Sequence, residues 1–339
     1  MTLDELRQFA SDNGLPRFAG AQIARWIYEK RVKSISEMTD IAKSARARLE
    51  QICEIGLRAP IRRAESTDGT IKYLFAGVGG RDIEAVYIPD DDRATLCVSS
   101  QAGCKMGCTF CMTGRQGFHG NLTTADIINQ ILSVDNSRSL TNIVFMGMGE
   151  PLDNLPAVMK AIEILTAKWG FAWSPKRITL SSIGKLRELK EIIERTRVHI
   201  AISVHSPFPD QRLQLMPVQK AFPIAQVMEL LRQYDFAHQR RLSVEYIMWR
   251  GVNDTHRYAT ALARLIRGTG ARVNLIRFHA IPDSDLKPSS TQTMENFRDT
   301  LNNMGITATI RASRGEDIMA ACGMLSGQES PSTNNTTDQ

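Results

Sequence analysis

The sequence predicts an α/β protein in which a small N-terminal α-helical domain precedes a partial (βα) barrel. Apolar runs typical of strands alternate with segments of helical periodicity from residue 95 to residue 311. Residues 1–64, in contrast, show helical periodicity alone. The chain has 339 residues and 42% apolar content, which is enough to fill a sizeable core.

The N-terminal domain, residues 1–64, opens with Leu3, Leu6 and Phe9 at a period of three, as expected for one face of a helix. From residue 7 to residue 63 it holds twelve Lys and Arg, against eight Asp and Glu between residues 4 and 54. This excess of four is most of the net charge of +6. The charge predicts either an accessory RNA-binding domain or a solvated helical surface.

Residues 65–94 predict a β-hairpin that leads into the barrel. Apolar runs at residues 71–75 and 83–88 flank a glycine-rich turn. Glu84 lies in the second run, where a single acidic residue is usually the solvent-facing member of a strand. Its position alone therefore assigns it no chemistry.

The barrel is predicted over residues 95–326, because strand-like and helical segments alternate regularly and such alternation implies parallel strands with helical crossovers. The predicted strands are residues 95–100, 142–146, 177–180, 198–204, 242–248, 273–278 and 306–311. The predicted helices between them are residues 123–134, 155–168, 185–194, 222–234, 255–266 and 291–304.

Three cysteines gather in one loop after the first predicted barrel strand. Cys104, Cys108 and Cys111 are spaced by four and three residues, and Phe110 precedes the last of them. A structural zinc site normally has four ligands in two pairs, whereas three thiolates suit a four-iron cube with one open iron. The alternatives are a zinc loop that takes a fourth ligand from elsewhere and three unligated cysteines of the core. The spacing resembles the radical S-adenosylmethionine (SAM) superfamily, in which the open iron binds SAM.

Polar residues recur where the predicted strands end, which is where barrel enzymes place their chemistry. After the second strand come Gly149, which lets the backbone approach a ligand, and Glu150, which can accept a hydrogen bond from an ammonium group. We therefore expect a SAM-binding site at this edge of the barrel. Its other predicted residues are Ser181, Ser203, Val204, His205 and His279.

Three cysteines lie outside the loop. Cys53 lies in an apolar run and is predicted to be a small buried side chain. Cys97 is on the first predicted barrel strand, where a core position is the default interpretation. Cys322 follows the last strand in a glycine-bounded segment that could swing across the barrel mouth.

Five ordered motifs carry a closer resemblance. The chain is similar to the RlmN/Cfr family of radical-SAM RNA adenine methyltransferases over nearly its whole length except the tail. The fold that this implies is a partial barrel of the radical-SAM type with a helical accessory domain. The motifs are CVSSQAGCKMGCTFCMTG, FMGMGEPLDN, ITLSSIG, AISVHSP and RGEDIMAACG.

The resemblance implies a methylation that consumes two SAM molecules and uses one [4Fe-4S] cluster. One SAM methylates Cys322, and the second, bound to the cluster, is cleaved to a radical that activates the S-methyl group for addition to an adenine carbon. Glu84 resembles the proton acceptor that restores the ring. Cys97 then attacks the Cys322 sulfur, which frees the base and leaves a transient Cys97/Cys322 disulfide.

The resemblance also bears on which ring carbon is methylated. Glu150 followed by proline, and the RGED motif, resemble the branch that methylates C2 of adenine in 23S rRNA (peptidyl-transferase region) and in tRNA. The stretch HSPF, at residues 205–208, resembles instead the C8-methylating antibiotic-resistance branch. His279 stands where the family commonly has Asn. We expect C2 methylation, with C8 methylation as the alternative.

Composition and charge support further expectations about cellular location, partners and the C-terminal tail. The first residues lack a basic start before an apolar run, no stretch is long enough to span a membrane, and the cysteines suit a reducing compartment, so we expect a cytoplasmic protein. The expected partners are 23S rRNA, tRNA and an electron donor such as a flavodoxin-type protein. The pI near 9.0 also allows a non-catalytic, metal-stabilised RNA-binding protein. Residues 327–339 are rich in Ser, Thr and Asn and predict a disordered tail.

Overall fold

The computed structural model describes residues 1–237 and 240–327, which hold twelve strands and eleven α-helices. The strands are β1 (Arg62–Glu65), β2 (Ile71–Phe75), β3 (Ile83–Asp90), β4 (Arg93–Cys97), β5 (Gln101–Gly103), β6 (Phe118–Asn121), β7 (Asn142–Phe145), β8 (Ile178–Ser182), β9 (His199–Ser203), β10 (Leu242–Met248), β11 (Arg272–Arg277) and β12 (Ala308–Ile310). The helices are α1 (Leu3–Asp12), α2 (Ala19–Ala24), α3 (Lys43–Ile52), α4 (Met112–Arg115), α5 (Thr124–Leu132), α6 (Leu155–Thr166), α7 (Leu186–Arg195), α8 (Pro209–Leu215), α9 (Ile224–Leu231), α10 (His256–Ile266) and α11 (Thr291–Asn303). None of the helices described is long and apolar enough to cross a membrane.

The main sheet has ten strands in the order β1-β2-β3-β4-β7-β8-β9-β10-β11-β12. From β4 onward every neighbouring pair is parallel, and helices make the crossovers. In the part of the chain that is described, β1 and β12 end the sheet without pairing with each other. The structure therefore confirms the predicted partial barrel and, within a few residues, its seven strands.

Three antiparallel strands extend the parallel sheet at its β4 end. The hairpin of β2 and β3 was predicted, but β1 was not, and the last N-terminal helix already ends at Ile52. The sequence of β1, Arg-Arg-Ala-Glu, is almost fully exposed on the sheet edge. It lacks the apolar alternation that marks a half-buried strand, so pattern alone could not find it.

The N-terminal helices pack on the barrel rather than standing apart from it. Tyr28 lies with its ring centroid 6.0 Å from those of both Trp169 and Phe171, in the segment between α6 and β8. Arg31 donates a hydrogen bond from its guanidinium to the carbonyl of Ser137, just before β7. The helical region is thus attached at the edge where the parallel strands begin.

The chain after β12 crosses from one end of the sheet to the other, and we call residues 314–327 the strap. The N–H of Gly315 donates to Asp68 Oδ2 at 3.0 Å, in the turn between β1 and β2. Thr113 Oγ1 donates to the carbonyl of Leu325 at 2.7 Å, which ties the strap to α4. The strap therefore covers the gap between the unpaired sheet ends. Of the predicted disordered tail, residues 328–339 lie outside the described residues.

Candidate active site

The three-cysteine loop lies at the carboxyl edge of the barrel, between β5 and α4. Cys104, Cys108 and Cys111 are all partly buried. Burial raises the pKa of each thiol, to about 12 for Cys104, and the neighbouring thiols add to the effect at Cys108. Because a metal centre binds thiolates, its charge has to overcome this cost when the site is loaded.

The glycine turn after β7 holds Glu150 against the β4–β5 connection. A Cβ atom on Gly147 would lie 2.8 Å from backbone atoms of Val98, and one on Gly149, whose φ is 96°, would lie 2.5 Å from Gln101 Cβ. We expected Gly149 to let the backbone approach a ligand. The structure shows that both glycines let two segments of the chain itself approach each other.

Glu150 is buried beside this turn and its carboxylate is bound by backbone groups. Oε1 accepts from the N–H of Leu152 at 3.1 Å, and Oε2 accepts from the N–H of Ile183 at 3.0 Å. Burial raises the pKa of Glu150 to about 7, although these hydrogen bonds, one from Ser182 and the charge of Lys185 act in the opposite direction. The carboxylate can therefore bind a cation, because two oxygens have more acceptor sites than these bonds use.

The ends of β8 and β9 are joined by a buried arginine that the sequence analysis missed. Arg212, with no exposed surface, donates to the carbonyls of Ser203 and Val204 at the end of β9, both at 3.1 Å, and to that of Ile183 after β8 at 3.4 Å. Ser181 and Ser203 are half-buried, and in the described residues neither hydroxyl makes a hydrogen bond. Arg212 thus positions the strand ends while leaving these two hydroxyls available to a ligand.

His205 lies directly after these strand ends and faces the protein interior. Its φ of 57° is uncommon for a residue other than glycine. Nδ1 accepts a hydrogen bond from the N–H of Ile247 at 3.1 Å, which assigns the ring proton to Nε2. Burial and the charge of Arg212 lower the pKa of His205 to about 3, so the imidazole is neutral.

His279 follows β11 and contacts the strand-to-strap connection after β12. Nε2 lies 3.1 Å from Ser313 Oγ, and Nδ1 lies 3.1 Å from a carboxylate oxygen of Glu316. Both ring nitrogens are therefore used within the chain. The structure places this residue at the correct edge of the barrel, but with its polar atoms bound to protein.

Strand pairing brings Glu84 and Cys97 to one face of the sheet. Lys72 pairs with Val86, and Val86 pairs with Cys97. Glu84 lies two residues before Val86 and so has the same orientation. Pairings across β7 continue this face to Thr179, which lines a cavity inside the barrel. Glu84 therefore faces the barrel interior and not solvent.

The Glu84 carboxylate is buried and fully engaged. Oε1 lies 3.0 Å from Lys72 Nζ, in an ion pair whose side chains are 8% and 1% exposed. Oε2 accepts from the backbone N–H groups of Ser326, at 2.7 Å, and Gly327, at 3.1 Å. The strap thus ends on this carboxylate, four residues beyond Cys322.

Cys97 and Cys322 are both free thiols and lie within electrostatic reach of each other. Burial, and then the neighbouring Cys322, raise the pKa of Cys97 to about 12. Cys322 is an exposed residue, yet burial of its thiol against the barrel raises the pKa of that thiol, with Glu245 and Arg311 as its first charged neighbours. The structure therefore gathers Glu84, Cys97 and Cys322 at one end of the barrel.

Two family models match the chain. Residues 98–263 match the radical SAM superfamily, and residues 1–55 match the ribosomal RNA large subunit methyltransferase N-terminal domain. A probable dual-specificity RNA methyltransferase RlmN of Parabacteroides distasonis is 59% identical over 326 residues, which cover 96% of this chain and 95% of that protein. The chain belongs to the RlmN family of radical-SAM RNA methyltransferases.

Other RlmN relatives and a solved structure agree with this assignment. The dual-specificity RNA methyltransferase RlmN of Syntrophotalea carbinolica is 42% identical over 96% of this chain and 88% of that protein. The crystal structure of a radical SAM methyltransferase from Sphaerobacter thermophilus superposes with a TM-score of 0.91 at 38% identity, covering 97% of this chain and 98% of that one. The fold and the enzyme class therefore follow from relatives that match nearly the whole chain.

The cofactors of an RlmN-family chain are a [4Fe-4S] cluster and SAM, and the loop cysteines fit the cluster. A closed structural zinc site normally takes four ligands, whereas the three thiolates of this loop suit a four-iron cluster with one open iron. The donor set therefore disfavours the zinc loop and, with it, a non-catalytic metal-stabilised protein.

The sequence analysis of this RlmN-family chain missed four buried charged residues: Lys72, Arg212, Arg240 and Glu245. Glu245 pairs in register with Ser203, and its carboxylate accepts hydrogen bonds from Ser243, at 2.8 Å, and Asn274, at 2.7 Å. Lys72 and Glu245 each interrupt an apolar run that was assigned to a strand. A charge inside a predicted buried strand was the signal that could have found them.

Proposed function

We propose that this chain methylates C2 of an adenine in 23S rRNA, and an adenine in tRNA, through S-methylated Cys322. The named relatives are dual-specificity RNA methyltransferases. The observation that carries the proposal is the placement of Cys97, Cys322 and Glu84 at the barrel end that holds the cluster loop. Radical SAM chemistry alone needs only the three loop cysteines, so two further thiols and a buried carboxylate require another explanation.

Cys322 is the residue we assign to carry the methyl group. This exposed residue lies on the strap, which spans the barrel opening, and its thiol can face bound SAM or the target base. The cluster and SAM, when bound, supply the one-electron cleavage that activates the methyl carbon. The strap then holds that carbon over the adenine, which has to leave its stack to reach the barrel.

Glu84 is the residue we assign to accept the ring proton. Its carboxylate is engaged by two strap N–H groups and by Lys72. Movement of the strap away from β3 would release Oε2 while Lys72 keeps Oε1 in place. The geometry thus supports a base that becomes available when the substrate displaces the end of the strap.

Cys97 is the thiol we assign to attack the Cys322 sulfur and release the methylated base. Its high pKa keeps it protonated and unreactive in the free protein. Attack forms the Cys97–Cys322 disulfide and breaks the bond between the Cys322 sulfur and the transferred carbon, which leaves with the bonding electron pair on the base and takes up a proton to become the methyl group. A transient disulfide of this kind has to be reduced before the next methylation.

The SAM-binding assignments rest on the strand ends. Glu150 would accept from the SAM ammonium group, and the free hydroxyls of Ser181 and Ser203 would bind its polar atoms. Gly149, Val204 and His205 line the same edge through their backbones. Both ring nitrogens of His279 are bound to protein, so this side chain is less available to SAM than the Asn that the family commonly has.

The domain roles complete the proposal. We assign residues 1–64 to RNA docking, 65–94 to the hairpin that carries Glu84, and 95–326 to the barrel. An electron donor such as a flavodoxin-type protein, which is acidic as a class, fits the exposed cations Lys105 and Arg115 beside the cluster loop. Cysteine use in the chain supports a cytoplasmic location.

Mass spectrometry of nucleosides tests the reaction. The reconstituted protein is incubated anaerobically with SAM, a reductant and an rRNA fragment, which is then digested. We expect 2-methyladenosine; 8-methyladenosine would instead assign the chain to the C8 branch. No methylated adenine from a preparation that holds its cluster and cleaves SAM would contradict the proposal.

Two cysteine variants sharpen this test. Cys322→Ala should keep the cluster and abolish methylation, because no sulfur remains to carry the carbon. Cys53→Ala, which removes a partly buried thiol of the N-terminal region, is the matched control and should keep activity. Methylation by Cys322→Ala at the control rate would exclude the methyl-carrier role.

A further inference from the structure

The edge of the barrel opposite the cysteines carries a row of basic side chains. They lie at the beginnings of four neighbouring strands: two directly before β8, one two residues before β9, one directly before β10, and one as the first residue of β11. All five are exposed. We call them the basic rim, which consists of Lys176, Arg177, Arg197, Arg241 and Arg272.

The spacing of the rim suits a nucleic-acid strand. Neighbouring strands in a sheet lie about 4.8 Å apart, so four strands span roughly 15 Å. A nucleic-acid strand places one phosphate about every 3.4 Å along a duplex axis. The rim can therefore contact about four consecutive phosphates.

The charge of the rim is not neutralised within the protein. None of the five side chains forms an ion pair with another described residue. Two of these charges act on the same neighbouring residue. Burial is the main cause that lowers the pKa of His199 at this edge, and the charges of Arg241 and Lys176 lower it further. The carboxylate of Glu194, three residues before Arg197, already accepts a hydrogen bond from Tyr234 Oη at 2.9 Å. A row of unpaired cations requires an anionic partner or solvent.

Two of the rim arginines also border a space that no side chain fills. Arg241 and Arg272 line a cavity of about 160 Å³ that extends into the barrel toward Glu245. Such a space holds water but no nucleotide. Both arginines are exposed and lie at the border of this cavity.

The rim is continuous with the N-terminal helical region. Tyr28 packs on Trp169 and Phe171, in the segment that leads to Lys176 and β8. The helix-rich part of that region therefore lies beside the rim on the same edge of the barrel. One polyanion can cover both surfaces.

We propose that the basic rim is a second RNA-binding surface, which contacts the phosphodiester backbone of the substrate away from the target adenine. This inference rests on the proposed function, in which RNA is the substrate. An acidic electron donor is a poorer match. Strands of about six residues put the rim roughly 20 Å from the cluster loop, at the wrong end of the barrel for electron transfer.

Salt-dependent RNA binding tests the rim in the full-length, cluster-loaded protein. The variant is Arg241→Gln/Arg272→Gln. The control, Arg187→Gln/Arg298→Gln, removes the same charge from the first turn of α7, at the opposite edge of the barrel, and from α11. Fluorescence anisotropy is measured with a long 23S rRNA fragment and with a single-stranded oligonucleotide of seven nucleotides around the target adenine.

We expect the rim variant to bind the long fragment roughly tenfold more weakly, and the slope of log K against log salt to fall by about two, one for each lost phosphate contact. Binding of the short oligonucleotide, and turnover at saturating RNA, should not change. The control variant should bind both RNAs as the wild type does.

Three outcomes would overturn the inference: wild-type affinity and slope in the rim variant, an equal loss in the control, or an equal loss with the short oligonucleotide. Unchanged RNA binding with slower electron transfer from reduced flavodoxin would assign the rim to the donor and also overturn it. Failure of the proposed function looks different, because the wild type would then produce no methyladenosine whatever the rim does.

Discussion

Two carboxylates beside the barrel opening are both buried, but their surroundings differ. Glu84, on the hairpin, is paired with the Lys72 ammonium group at 3.0 Å as well as with strap N–H groups. Glu150, in the glycine turn, accepts from backbone N–H groups, and Lys185 acts on it only at longer range because its ammonium group bonds Asp153 at 2.8 Å.

The difference shows how one barrel edge can give two carboxylates different tasks. The charge of Glu84 is balanced by a side chain of the protein, the Lys72 ammonium group, before any ligand arrives. The charge of Glu150 is not balanced in this way, and burial raises its pKa to about 7. Glu150 is therefore the better site for a cation that a ligand brings, such as the ammonium group of SAM.

Replacement of Glu84 should produce the largest effect. Glu84→Gln cannot accept the ring proton as a carboxylate does, and we expect methyl transfer to fall by about 10²- to 10⁴-fold, the usual range for a lost general base. Because the steps before proton loss should survive, a covalent protein–RNA adduct should accumulate on denaturing gels. Cys322 methylation, measured by peptide mass spectrometry, is the internal control. Wild-type turnover without adduct would remove Glu84 from the mechanism.

Removal of Lys72, the partner of Glu84, should have the next largest effect. Lys72→Met leaves a buried carboxylate without its cation, and breaking a buried ion pair in this way typically costs about 3–5 kcal/mol of unfolding free energy. Denaturant unfolding measures this, with Arg93→Met as control, since that residue pairs with Asp90 on the surface of the same sheet and should cost below about 1 kcal/mol.

The double variant Lys72→Met/Glu84→Gln isolates the pairing. It should lose less stability than the two single variants together, because the second change removes the unpaired charge that the first one leaves. Additive losses would mean that Lys72 stabilises the hairpin through its aliphatic stem alone, and the contrast between the two glutamates would then be weaker.

The sequence predicted the barrel well but the partners of its charged residues poorly. The strand at residues 242–248 was placed to the residue, because a long apolar run with β-branched side chains has few other structures open to it. The edge strand Arg62–Glu65 was missed, since its short polar sequence is a strand only because β2 provides a partner. The local sequence pattern therefore predicts strands whose own apolar side chains are buried, and it misses a strand that forms only by pairing with a neighbour.

In the candidate site, too, features set by local spacing could be predicted and long-range contacts could not. The loop cysteines could be recognised from spacing within eight residues of sequence. The contact of Glu84 with Gly327 joins residues 243 positions apart, and no periodicity encodes it. Arg212 was missed for a similar reason, because its bonds to the carbonyls after β9 depend on how α8 returns to the barrel edge.

Glu150 should produce the smallest effect, and one that depends on pH. The pKa of its carboxyl group rises from 4.5 in the unfolded chain to about 7 in the folded protein. Between these values only the folded state holds the proton, so the unfolding free energy of metal-free protein should decrease as pH rises from 4.5 to 7. At about 1.4 kcal/mol per pH unit, the decrease totals about 3 kcal/mol.

The variant Glu150→Gln removes this titration, so its unfolding free energy should vary less with pH over that range than that of the wild type. The control, Glu163→Gln, changes an exposed position on α6 and should keep the wild-type pH dependence. SAM sharpens the contrast with Glu84. Its ammonium group should favour ionised Glu150, so SAM binding near pH 6.5 should release a proton, which calorimetry in two buffers of different ionisation enthalpy detects. A pH profile of Glu150→Gln parallel to that of the wild type would show that Glu150 is already ionised, and the two carboxylates would then differ only in their partners.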